Sequence, residues 1–420
     1  MAPSITIESL ELVRHLRKGN RIIVGQACGE PVKLVEALIA QVREIGGVSV
    51  FTGSSFSGLF TPEAANEIEL CSMGALGSLK NVARAGKLSI IPIHMSQIGM
   101  AIETGTLACD VAMIQVSPAD EHGYHSCGLT GDHVSAAVRK ARLVIAEVNE
   151  AVPFTHGEVI HASEIDVAIP VDYVPVEFMT TRGSEVEVKI ANYCASFIGD
   201  GAVLQIGIGA LPNAVLRQLS DRRDLGLHSG LMSDGCIDLV EAGIMTNARK
   251  EIDVGKSVAS SLVGSQRLYR FAHRNKGIRI CADRYTHSAE VLARLSRLVT
   301  VNSALEVDLS GQVNAEVAGG AYIGAAGGQV DFIRAGARSP GGRGIVALPS
   351  TAKHGSISRI VSRLGGPVTT SRADADVIVT EYGTAELQGR SLKERARRLI
   401  AIAHPAFREH LSREAHRYFQ

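Results

Sequence analysis

The chain has 420 residues, 45% of them hydrophobic, with 43 glycines and no tryptophan. Lys+Arg and Asp+Glu both number 43, so net charge is near zero, which speaks against nucleic-acid or membrane-surface binding through bulk charge. The scarcity of aromatics leaves no base-stacking platform, and the length fits two or three globular domains.

Met1-Ala-Pro-Ser-Ile-Thr-Ile-Glu8 lacks the basic-then-apolar order of a secretory leader. No run of about 18 apolar residues offers a membrane span. The seven cysteines are scattered without a C-x-x-C pair, which suits a reduced, cytoplasmic protein.

Residues 10–16 read as a short helix. Residues 21–24 form a strand, followed by a small-residue loop, Glu30-Pro31 and a helix through Leu38. Further strands are expected at 48–51, 88–92, 111–116 and 143–148, and this alternation implies parallel βαβ units. Residues 168–183 carry prolines and little periodicity and read as a linker. Residues 185–198 follow as an amphipathic helix.

The next stretch, Gln205-Ile-Gly-Ile-Gly-Ala-Leu-Pro-Asn213, reads as the end of a buried strand, a glycine turn and a helix opening at Pro212. Proline is tolerated in a first helical turn because its missing N–H would be unpaired there. Gly207, Ile208 and Gly209 would let the backbone approach a phosphate, a carboxylate or a developing oxyanion. A dinucleotide fold fits poorly, because Pro212 stands at the third glycine and no acid ends the next strand. Strands are also expected at 279–281, 298–307, 344–348 and 377–380, and Ser391-Leu-Lys-Glu394 opens a last helix that breaks near His404-Pro405.

Residues 21–38 align without gaps on 202–219, an offset of 181 that lays strand on strand and Pro31 on Pro212. The expectation is two related α/β domains, 1–180 and 181–420, whose glycine loops line one cleft.

Several residues could carry chemistry. Glu306 is an acid inside an apolar strand, which is either a working carboxylate or one bonded to backbone amides. Glu30 sits before Pro31, either facing the cleft or favouring a helix dipole. Asp234 reads as a turn or cap residue, and His228 as a residue that orients others. Lys353 and His354 could meet a phosphate or lie in a solvated loop. His122, His125 and Cys127 share a loop but lack the second ligand pair of a zinc site. G-x-S-x-G is absent, which counts against an α/β-hydrolase.

Taken together, the glycine stretch at 205–215, Leu227-His-Ser-Gly-Leu-Met-Ser-Asp-Gly235, Asn302-Ser-Ala-Leu-Glu-Val-Asp-Leu-Ser-Gly-Gln312, Gly327-Gly-Gln-Val-Asp-Phe332 and Val379-Thr-Glu-Tyr-Gly383 resemble the acetyl-CoA hydrolase/transferase family. Gly29-Glu-Pro31, Val116-Ser-Pro118 and Ala146-Glu-Val-Asn149 resemble it too. The resemblance implies an α/β fold of two open, largely parallel CoA-transferase domains with an active site in the cleft between them. It implies that a coenzyme A thioester is a co-substrate, with a small carboxylic acid as the other substrate and no prosthetic group or metal. It implies ping-pong chemistry through an acyl–glutamyl anhydride and a glutamyl-CoA thioester. Gly327, Gly328 and the 207–209 loop would supply oxyanion donors and contact CoA, and a homodimer or homotetramer is expected.

In one place the chain departs from the family. The nucleophilic glutamate that follows His-Ser in the family is here Gly230. Three readings follow: Glu306, or after it Glu30, has taken the role; a thioester hydrolase or transferase works by direct displacement; or the scaffold binds CoA esters without catalysis.

Overall fold

The computed structural model describes residues 6–418; residues 1–5, part of the stretch read as lacking a leader, lie outside the described residues. The chain divides into two compact units. One runs to Met179 and adds Met232–Asp234 and Val258–Ser288, and the other comprises Thr180–Leu231, Gly235–Ser257 and the chain from Ala289 onward.

The first unit is built on seven strands: β1 (Arg21–Val24), β2 (Val48–Phe51), β3 (Ile68–Ser72), β4 (Leu88–Ile90), β5 (Val111–Val116), β6 (Leu143–Asn149) and β7 (Val167–Val171). Their order is β7-β6-β5-β1-β2-β3-β4, and every pairing is parallel. Parallel sheets are covered on both faces, which is why β5 is apolar except for Gln115 and has every residue buried. Helix α1 (Val32–Ile45) returns from β1 and buries Leu34, Val35, Leu38, Val42 and Ile45, a stripe at helical spacing. It runs seven residues past the expected end at Leu38 and stops at Gly46, whose φ of 86° only glycine adopts cheaply. Truncating Leu38, fully buried in this core, to alanine would cost about 2–5 kcal/mol.

The helix expected at 10–16 is instead two 3₁₀ turns, Ile7–Ser9 and Leu12–Arg14. Gln41 on α1 takes the Leu12 amide at 2.7 Å and donates to the Leu10 carbonyl at 2.8 Å. Those backbone groups are thus satisfied by tertiary bonds rather than by a helix.

The second unit opens with α2 (Glu185–Ala195), held by a reciprocal capping box between Ser184 and Glu187. Its main sheet contains β8 (Val203–Ile206), β9 (Gly226–Leu227), β10 (Leu298–Ser303), and three later strands at Arg343–Ala347, Val377–Thr380 and Gly383–Glu386. A smaller sheet joins β11 (Glu306–Asp308), β12 (Val313–Asn314) and a strand at Ile360–Val361. In chain order the later strands become β13 (Arg343–Ala347), β14 (Ile360–Val361), β15 (Val377–Thr380) and β16 (Gly383–Glu386). The main order is β9-β8-β10-β13-β15-β16, parallel except for the last pair.

The strand expected over 298–307 therefore breaks at Ala304-Leu305. β10 belongs to the main sheet, and Glu306 starts a strand in the smaller one. Helix α3 (Ala210–Arg217) opens two residues earlier than expected, with Gly209 as its N-cap and Pro212 still inside the first turn. Helix α4 (Gln329–Arg338) leads into β13, and α5 (Leu392–Ile402) and α6 (Pro405–Tyr418) close the chain on either side of the His404-Pro405 break. No helix among the described residues is long and apolar enough to cross a membrane.

Candidate active site

In open α/β sheets, ligands bind outside the carboxyl ends of the strands, where the strand order reverses. In the second unit that reversal lies between β8 and β10, because β9 pairs on one side of β8 and β10 on the other. Gln205 and Asn302 lock these two strands near that edge, the Asn302 amide donating to Gln205 Oε1 at 3.0 Å. The loop 207–209 follows β8, His228 and Gly230 follow β9, and Glu306 follows β10. Gly327 and Gly328 precede α4, whose N-terminus lies at the same edge because the helix runs back against β10 and β13. Lys353 sits in the hairpin that follows β13. Of the residues expected to carry catalysis or contact CoA, all but Glu30 thus cluster at the carboxyl edge of one sheet, whereas Asp234, His122, His125 and Cys127 belong to the first unit.

The two glycine loops present open backbone. Gly209 has φ 111° and Gly327 φ 53°, and a Cβ built at either meets no described protein atom within 4 Å. Each stands beside a helix N-terminus, where unpaired N–H groups face outward. Gly207, Ile208 and Gly230 are half-buried. His228 is fully buried, its amide bonded to the Leu204 carbonyl at 3.0 Å, and the adjacent Ser229 hydroxyl donates to the Ile206 carbonyl at 3.1 Å. Lys353 and His354 are exposed, and both adopt left-handed backbone at the hairpin tip.

Glu306 is half-buried and asymmetric. Its Oε1 accepts from Asn314 Nδ2 at 2.9 Å and from the amides of Gly365 and Gly366 at 2.7 and 3.1 Å. Its Oε2 receives no hydrogen bond from any described residue. The approach is close: a Cβ on Gly366 would stand 2.5 Å from the Asn314 amide nitrogen.

Glu30 lies at the equivalent reversal in the first unit, between β1 and β5, and is fully buried. Both of its oxygens are occupied, by the hydroxyls of Ser55 and Ser57 at 2.8–3.1 Å and the amides of Phe56 and Ser57 at 3.1 Å. Burial pushes its pKa up, and these four donors oppose the shift. Asp234 accepts from the amide and hydroxyl of Ser265, the N-cap of the helix Gln266–Ala272. In the zinc candidate loop His122 is exposed, His125 Nδ1 is 2.8 Å from the Ser117 carbonyl, and Cys127 is buried.

Other charged groups escaped the sequence reading. Glu381, just past β15, takes the Ser350 hydroxyl at 2.6 Å and its amide at 2.8 Å. Arg359, just before β14, is half-buried. Glu147 on β6 is fully buried and caps α1 by accepting from the Leu34 amide at 2.6 Å, with the Tyr173 hydroxyl on its other oxygen. Burial raises its pKa to about 7. Both glutamates fall within stretches quoted above, but nothing in those stretches marks which partner each one meets.

Residues 5–180 match the acetyl-CoA hydrolase/transferase N-terminal domain and residues 264–415 the C-terminal domain of the same family. The chain is 39% identical over 412 residues to a 4-hydroxybutyrate coenzyme A transferase of Clostridium kluyveri, covering 97% of this chain and 96% of that one. Among solved structures it resembles RipA from Yersinia pestis, with a TM-score of 0.92 and 35% identity over 98% of this chain and 96% of that one. It also resembles a 4-hydroxybutyrate CoA-transferase from Porphyromonas gingivalis, with a TM-score of 0.83 and 36% identity over 97% and 96%. With both domains matched in order and near-complete overlap with these relatives, the chain is an enzyme of the acetyl-CoA hydrolase/transferase family.

Proposed function

We propose that this enzyme moves coenzyme A from an acyl-CoA of the acetyl or succinyl class to a small carboxylic acid such as 4-hydroxybutyrate, acetate or itaconate, with Glu306 as the nucleophile. The observation that carries this reading is the asymmetry of Glu306: three donors hold one oxygen, and no described residue bonds the other. Glu30, with both oxygens occupied and no exposed surface, is the weaker candidate. Glu306 Oε2 attacks the thioester carbonyl, the C–S bond breaks, and CoA leaves as a thiolate. The thiolate attacks the glutamyl carbonyl of the anhydride and expels the first carboxylate, leaving a glutamyl-CoA thioester. An incoming carboxylate collects CoA by the reverse steps, with no net proton change. Each addition puts negative charge on a carbonyl oxygen, which the helix N-termini at Gly209 and Gly328 are suited to stabilise.

Gly230 favours a second reading. With no side chain at the family's nucleophile position, water or the acceptor carboxylate could attack the thioester directly. On either reading the enzyme works without a prosthetic group, as a cytoplasmic homodimer or homotetramer with no nucleic-acid or membrane partner. The test is trapping. The protein is incubated with acetyl-CoA and with succinyl-CoA, digested, and searched for a CoA-derived mass. An adduct on Glu306 is the expected result. Exchange of CoA between acids with no adduct on any glutamate would overturn the ping-pong reading in favour of direct displacement.

A further inference from the structure

Arg359 stands beside Glu306. β11 and β14 run parallel with Val307 opposite Ile360, and the Val307 amide donates to the Arg359 carbonyl at 2.8 Å. Val307 and Ile360 are both fully buried in the hydrophobic core, so the residues that precede them, Glu306 and Arg359, share the other face.

The Arg359 guanidinium is half-buried yet makes no hydrogen bond, and no ion pair within 4 Å, with any described residue. Glu381 is the charge that acts on it, but both Glu381 oxygens are already held by Ser350. Ser350 also fixes the arginine from behind, its carbonyl accepting the Arg359 amide at 2.8 Å. A partly desolvated guanidinium that still reaches solvent and has no partner among the described residues is open to an incoming anion, and its planar fork matches a carboxylate.

This inference rests on the CoA-transfer reading above. The reacting carboxylate loses its charge when it becomes a thioester, so it could pair with an arginine in only half of the cycle. A second, non-reacting carboxylate keeps its charge in both the acid and the thioester. We infer that Arg359 is a specificity-determining residue that binds the distal carboxylate of a dicarboxylic acid, and that dicarboxylic acids or their CoA esters are the preferred substrates. The extra room at Gly230 is compatible with such a substrate group.

The test compares acceptors of equal length, succinate and butyrate, with acetyl-CoA as donor. It uses wild type, Arg359→Gln and Arg359→Lys, each checked for folding by circular dichroism. Wild type is expected to prefer succinate. Arg359→Gln should lower kcat/KM for succinate about 10- to 100-fold and for butyrate less than about 3-fold, with Arg359→Lys in between. An equal loss for both acids, or no loss, overturns the inference. So does a rise in the KM for acetyl-CoA that disappears with 3′-dephospho-acetyl-CoA, which would make the bound anion a phosphate. Calorimetric titration with succinate separates the two levels. If wild type binds succinate and Arg359→Gln does not, while wild type exchanges CoA with no acid, the carboxylate site stands and the CoA-transfer reading falls.

Discussion

Asn314 holds Glu306 through a single donor, its Nδ2 bonding Oε1, while its own Oδ1 is taken up by the amides of Glu316 and Val317 at 2.9 and 3.1 Å. The Oδ1 end serves the turn alone, whereas the Nδ2 end also donates to the Val317 carbonyl at 2.7 Å, so removing the donor releases Glu306 together with one bond of the turn. Asn314→Asp keeps the acceptor for the turn and replaces the donor by a negative charge. A like charge disfavours an ionised neighbour. In Asn314→Asp, which takes a donor from Glu306 and sets a like charge beside it, the rate of CoA exchange at neutral pH should fall roughly 10-fold. Glu306→Gln, which lacks the nucleophile, should lose on the order of 10³-fold. An unchanged exchange rate in Asn314→Asp together with an active Glu306→Gln would remove Glu306 from the chemistry.

Gly209→Ala and Gly327→Ala test the open backbone. A methyl group at either position clashes with no described protein atom, so the cost to folding is confined to backbone strain of about 1–3 kcal/mol. The cost to CoA-ester binding should be larger, because the methyl group stands where the ligand is expected to approach. Urea unfolding and calorimetric affinity for a CoA ester, measured on the same variants, separate the two effects. Affinity unchanged while stability falls would mean the ligand does not pass these glycines.

Glu30→Gln should act on folding rather than on chemistry. Two hydroxyls and two amides donate to this carboxylate. A glutamine would turn an –NH₂ group towards them, at a cost of about 2–4 kcal/mol. The melting temperature should drop while exchange per folded molecule, assayed in the cold, stays near wild type. Full stability with lost exchange would assign Glu30 to the reaction.

Glu147 makes stability pH-dependent. Burial is the largest cause of its raised pKa of about 7, and bonds from Tyr173, Leu34 and Gln115 oppose it. A carboxyl whose folded pKa lies above its unfolded value contributes stability that is complete below about pH 4.5 and is lost as pH rises through about 7. That contribution is on the order of 3 kcal/mol. Unfolding free energies of wild type and Glu147→Gln at pH 5 and pH 8 check it: the wild-type value should fall more steeply. Parallel slopes would count against the assignment.

The parallel sheets were legible because strands buried on both faces are written as runs apolar but for one residue, as at Val111–Val116 and Val203–Ile206, each with a single glutamine. The glycine turn after β8 was legible because a strand, two glycines and an early proline leave the backbone few alternatives. The break that places Glu306 was not. Residues 298–307 are one apolar pattern, and only the pairing of Glu306 with Asn314 in another sheet ends the strand at Ser303. Arg359 was invisible for a related reason. A single arginine before Ile-Val carries no local signal, and its meaning depends on Ser350 having already claimed Glu381.

The capping of α1 also constrains the order in which the first unit can form. Pro31, at the N-cap, offers its helix no side-chain acceptor, and the Leu34 amide instead finds Glu147, 113 residues further along. Tyr173, later still, accepts from the Val32 amide at 3.1 Å. A growing chain that has produced α1 and the strands around it still lacks both partners, so the first turn of that helix stays hydrated and frayed. Only the arrival of β6, and then of the segment after β7, seals it. Closure of this end of the helix is thus a late, long-range event, which places it on the slow side of folding.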